Sequence, residues 1–223
     1  MSRDTPRTRL EPADRRRELL DVAERLAREG GLASLSTQAV ATAAGASKAL
    51  VFHYFGSVVG LQRAVVAEVV AELLTALGAP DDELVGLAEQ DRPVVVLDAF
   101  ITAVTARREL WTDIWRGALH DDAQTQEILE DARSALVDRL ARRSSALHDR
   151  SSDGADATLG PAALALLSRG WVALAESATA SWLAGSPLRQ DELRDLLVRS
   201  LSAVLGEAGA TTSRETPHPG SDA

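Results

Sequence analysis

The stretch STQAVATAAGASKALVFHYFGSVVGL, Ser36 to Leu61, decides the fold of this chain. Ser36 is a good helix N-cap, since its hydroxyl can accept from an amide of the first turn, and a short helix is expected from Thr37 to Ala44. Gly45 takes positive φ cheaply and suits the stop and turn that must follow. Ser47 supplies a second cap, opening a helix over Lys48 to Tyr54. Val40, Ala41 and Ala44 give the first helix a small apolar face, and Val51 and Phe55, four apart, do the same for the second. Two short helices joined by a tight glycine turn form the helix-turn-helix pattern. Its second helix has the size to enter the DNA major groove and read base edges.

Within that stretch, AVATAAGASKALVFHYFGS (39–57), preceded by LSTQ (35–38) and followed by Leu61, resembles the DNA-binding domain of the TetR family of bacterial repressors. The likeness runs from about Arg15 to about Leu77. The capped helix, the turn at 44–47, the aromatic cluster and the upstream Glu29, Gly30 and Gly31 all fall at family spacing. The resemblance implies a DNA-contacting set of Thr37, Gln38, Ser47, Lys48, Ala49, His53 and Tyr54. Thr37 would donate to a phosphate beside a helix N-terminus, and Gln38 is long enough to reach a base edge. Lys48 suits guanine O6 and N7, and Ala49 a thymine methyl. His53 would meet a base or phosphate, and Tyr54 a phosphate.

Three positions depart from the family pattern. Phe52 stands where a phosphate-binding tyrosine is usual, Val58 where a lysine opens the next helix, and Val59 where an acid follows. Two missing phosphate contacts would flatten the salt dependence of DNA binding.

The 223 residues carry a net charge of −9, which by itself argues against nucleic acid. Its distribution reverses the argument. Residues 1–60 hold nine Lys and Arg against seven acids, and the remainder fifteen against twenty-six. A mildly basic head on an acidic body fits a protein whose head alone meets phosphate. There is no cysteine, no apolar leader and no uncharged apolar run of membrane length, so the expected place is the cytoplasm, without a membrane. His53, His120, His148 and His218 are scattered, and no phosphate loop, nucleophile elbow or metal-ligand cluster appears. No catalytic residues, metal or cofactor are expected.

Along the chain the expected order is a disordered basic arm (1–11), a helix-turn-helix domain (12–57), a helical ligand-binding and dimerisation domain (58–208) and a disordered tail (209–223). The first helix covers about 13–29, with Arg15, Arg16 and Arg17 in its first turns. A linking helix runs from 58 to 77. Helical spacing then predicts segments at 82–89, after Pro93, at 109–119, at 123–147, at 161–183 and at 189–205, with a loop at 151–156. No alternating strand pattern appears, so the chain is expected to be all-α. The helices at 161–183 and 189–205 have more apolar surface than one small domain needs, and the family pairs them in a homodimer.

The resemblance also implies a small-molecule pocket in the body. Its candidates are Phe100, Val104, Trp111, Trp115, Trp171 and Glu176, the last able to bind a ligand or to pair with Arg169. The expected function is therefore a sequence-specific regulator of transcription, a repressor released from a palindromic operator by a hydrophobic ligand. The alternatives are a ligand-independent DNA binder or a dimeric helical protein with a weakened head.

Overall fold

A computed structural model describes residues 11–78, 91–151 and 160–206, and every regular element among them is helical. Helix α1 (Pro12–Gly30) opens on a proline, whose missing N–H is no loss in a first turn. Leu19, Leu20, Val22, Ala23 and Ala27 turn to the core. A 3₁₀ turn, Leu32–Ser34, leads to α2 (Thr37–Ala43) and α3 (Lys48–Phe55). Both expected caps form. Ser36 Oγ accepts from the Ala39 amide at 3.0 Å, and Ser47 Oγ from the Leu50 amide at 3.1 Å. Gly45 adopts φ +58. The Ala46 amide reaches Ala41 O at 2.9 Å and the Gly45 amide Thr42 O at 3.3 Å, the paired bonds that close a helix on a left-handed glycine. Val40, Ala41 and Val51 are buried where the two helices cross.

Helix α4 (Val58–Leu77) is capped by Ser57 and buries Leu61, Val65, Val66, Val69, Val70, Leu73 and Leu77. So wide a buried face means neighbours on more than one side. It packs on α1, on α5 (Arg92–Thr105) and on α7 (Ala123–Ser151). Between those two lies α6 (Arg108–Trp115), which touches α1 and α8 (Pro161–Leu183). Helix α9 (Gln190–Leu201) lies on α5 and α8, and a π turn, Ser202–Gly206, follows it. One connected apolar core runs from α1 to α9. Each fully buried Leu or Val in it contributes about 2 kcal/mol of transfer free energy.

Several boundaries differ from expectation. Helix α6 stops at Trp115 rather than near Leu119, because Gly117 takes φ +88 and the Ala118 amide folds back to Asp113 O at 2.9 Å. Helix α7 runs four residues further than expected, and α9 ends at Leu201 and tightens into the π turn. Asp122 caps α7, accepting from the Thr125 amide at 3.0 Å. The expected arm (1–11) apart from Glu11, the helix expected at 82–89, the tail at 209–223 and the expected loop (151–156) apart from Ser151, which instead ends α7, lie outside the described residues. Among the described residues no helix is long and apolar enough to cross a membrane.

Candidate functional site

The crossing of α2 and α3 buries one side of α3 and leaves the other in solvent. Lys48, Ala49, Phe52 and His53, at spacing i, i+1, i+4 and i+5, form that exposed side. Ser47 is exposed at its start, with one lone pair already used by the cap. His53 and Tyr54 meet edge to face, with ring centres 5.3 Å apart. Gln38 is exposed on α2, and its amide donates to Thr42 Oγ1 at 3.2 Å. Of the seven expected contact residues, Ser47, Lys48, Ala49 and His53 are exposed on or at the start of α3, Tyr54 is half-buried beside His53, and Gln38 is exposed on α2. Thr37, at the start of α2, is only 6% exposed.

Phe52 belongs to the surface although no hydrogen-bonding argument selects it. It is 58% exposed in the middle of the α3 face. Its spacing from Lys48 was the signal. Val58 and Val59 are also exposed, at the start of α4. The three arginines of α1 have separate fates. Arg15 pairs with Glu18, and Arg17 donates to Glu68 at 2.5 Å and to Asp21 at 3.0 Å. Arg16 stands over the Phe55 ring, 5.3 Å from its centre, with its side chain exposed. Arg16 is therefore a candidate phosphate contact.

The body candidates divide. Phe100 and Val104 are buried on α5, and Trp111 is buried on α6. Trp115, one turn on, is half-buried, and its ring centre is 5.3 Å from that of Trp111. Trp171, on α8, is committed to α9, since its Nε1 donates to Ser200 Oγ at 3.1 Å. Glu176 pairs with Arg133, whose Nε lies 3.0 and 3.1 Å from its two oxygens, and not with Arg169, which reaches Glu130 at 3.2 Å. The structure adds two residues. Ser168 and Thr179 lie fully buried on the inward face of α8, and neither hydroxyl has a hydrogen-bond partner among the described residues. Arg139 Nη1 is likewise buried without a partner among the described residues. Such groups are rare in protein interiors. The signal for the hydroxyls was a Ser and a Thr falling in register with Leu164, Trp171 and Ala175.

Two carboxyls at the joint of head and body are displaced in opposite directions. Burial pushes the Glu24 carboxyl on α1 up, and the negative charges of Glu72 and Glu68 add to the effect. Asp122 is held well below the ordinary carboxylate range, first by Arg63 and then by Thr125. Arg63 grips it with two nitrogens, at 2.7 and 2.5 Å.

Comparison with known proteins gives the same picture. Residues 19–65 match the bacterial regulatory proteins of the tetR family, and residues 91–204 match the Tetracyclin repressor-like C-terminal domain. No curated protein sequence matches the chain. Among solved structures, a tetR-family transcriptional regulator from Streptomyces coelicolor superposes with a TM-score of 0.75 at 24% identity, over 90% of this chain and 84% of that one. A TetR-like regulator from Rhodococcus sp. RHA1 gives 0.61 at 24%, over 89% and 99%. Thermus thermophilus FadR, a TetR-family repressor solved with lauroyl-CoA, gives 0.61 at 20%, over 92% and 100%. The two family matches together span the capped helix-turn-helix and the helical body, and the chain belongs to the TetR family of transcriptional regulators.

Proposed function

We propose that this chain is a homodimeric repressor that reads a palindromic operator with α3 and releases it when a small, largely hydrophobic molecule enters the body. The observation that carries the reading is the solvent face of α3, with Lys48, Ala49, Phe52 and His53 presented side by side on a rigid, doubly capped pair of helices. Lys48 would donate to guanine, and Ala49 and Phe52 would meet thymine methyls or sugar. Ser47, Tyr54 and Arg16 would hold the phosphates around them, and Gln38 would reach a base edge.

The dimer reading rests on α8. Its outward face carries Leu166, Gly170, Ala173, Leu174 and Ser177 at helical spacing, and Leu166 is 71% exposed. Leu196 on α9 is exposed as well. Exposed leucines set among small residues, which let a second helix approach closely, make a protein-contact surface. The ligand reading is supported by the aromatic pair Trp111 and Trp115, by Phe100 and Val104, and by the unpartnered hydroxyls of Ser168 and Thr179. Trp171 and Glu176, held by Ser200 and Arg133, would form a wall. The FadR structure with lauroyl-CoA illustrates that this fold can hold a long apolar ligand. The protein would act in the cytoplasm, where its DNA is.

A second reading has its own observation. Phe52 and Val58 present apolar surface where a phosphate contact would be expected, which favours a weakened head. Selection of bound fragments from random DNA separates the two. A palindromic consensus, lost in the Lys48→Ala, His53→Ala double variant, supports the first. No enrichment even at low salt supports the second.

A further inference from the structure

The backbone of Leu32 is held at both its polar groups. Its N–H donates to Asp113 Oδ2 at 2.7 Å, and its carbonyl accepts from Gln62 Nε2 at 2.8 Å. Leu32 opens the turn between α1 and α2, Asp113 lies on α6 and Gln62 on α4. Next to it, Gly31 takes φ +68, and a Cβ built there would stand 2.4 Å from Asp113 Oδ2. The carboxylate therefore fills the space that any larger residue at 31 would need. Leu32 is buried and Asp113 half-buried, so this charge-assisted bond is sheltered from water.

The hydrophobic attraction between α1 and α6 is non-directional and by itself names no one angle between them. A short hydrogen bond has a preferred length and angle, and the closed glycine contact beside it leaves the carboxylate little room to shift. We propose that Asp113 is a positioning residue for DNA binding, whose carboxylate sets the angle of the head on α6 and so the separation of the two recognition helices. The inference rests on the DNA-reading dimer proposed above. Half-sites on one face of the duplex lie about 34–36 Å apart, so a head displaced on α6 meets the wrong spacing. Asp113 lies between Trp111 and Trp115, which places the positioning group on the same short helix as the aromatic pair.

The test uses the full chain and half-sites taken from the fragment selection, either singly or paired across spacers of varied length. Asp113→Ala is expected to lose about tenfold in preference for the best spacer, the share of one charge-assisted hydrogen bond, with single half-site affinity unchanged. Asp113→Asn keeps an acceptor oxygen and should keep most of the preference. Gly31→Ala drives the carboxylate away and should behave like Asp113→Ala. An unchanged spacer profile in Asp113→Ala overturns the proposal, and so does an equal loss on single and paired sites, which would mark a folding role. Hydrogen exchange at the Leu32 amide needs no DNA. Protection present in the wild type and lost in Asp113→Ala supports the clasp, and equal exchange in both refutes it. A wild type that selects no sequence removes the DNA reading and the positioning role with it, while Leu32 exchange still shows whether the clasp holds.

Discussion

Ser36 and Ser47 each satisfy one amide at the start of a short helix, and short helices have few other sources of stability. Ser36→Ala is expected to cost about 1 kcal/mol in a denaturant melt, as N-cap losses do. Glycines 31 and 45 both have positive φ, yet they differ in their surroundings. A Cβ at Gly45 meets nothing within 4 Å, whereas one at Gly31 meets Asp113. Gly45→Ala should therefore cost only the backbone strain of about 1 kcal/mol, and Gly31→Ala distinctly more. Glu24 gives a pH prediction. Its folded carboxyl titrates above the ordinary 4.5, so the charged form burdens the fold. That burden is absent below the unfolded value and complete once pH has risen through the folded one. Glu24→Gln should therefore raise the melting temperature at pH 7, with the gain shrinking as pH falls towards 4. The two caps and the Gly45 turn were legible in sequence because the groups they serve lie within five residues, whereas the contact of Gly31 with Asp113 was not. The Glu176–Arg133 pair and the burial of Thr37 were not, since they depend on which faces of distant helices meet.

At the scale of the element, α3 is defined by what it withholds from the core. Val51 and Phe55 face inward, which leaves Lys48, Ala49, Phe52 and His53 outward with no further choice. Replacing Lys48 by Ala should reduce the slope of log K against log salt by about 1, because one phosphate-region cation is lost, or relax the choice of one base if it reads guanine. Titrations at several salt concentrations on consensus and mutated operators distinguish the two. The α3 face follows from a period of 3.6 and could be read in advance. The end of α6 could not, because Gly117 interrupts a helical spacing that carries on to either side of it. Periodicity marks a face well and an end poorly, since the end rests on one residue's φ.

At the scale of the whole molecule, the all-α class and the order of the helices followed from pattern, but the contacts between them did not. That α1 lies on α6 and α9 on α5 is a matter of three-dimensional packing, for which the sequence holds no local mark. The outward stripe of α8 makes an assembly prediction. Leu166→Arg puts a charge at a position already 71% exposed, so it should leave the melt of the subunit nearly unchanged while shifting sedimentation from dimer to monomer. Loss of operator binding in the same variant would follow, because two half-sites read separately lose the effective concentration that joins them. Helix α4 carries a last consequence. Its 20 residues make a rod about 30 Å long, with one end beside α3 and the other inside the body. A tilt of about 10° at the inner end would swing the outer end by about 5 Å, roughly one and a half base-pair steps, so the leverage of this rod would turn a small adjustment within the body into a displacement of α3 on the scale of a base pair.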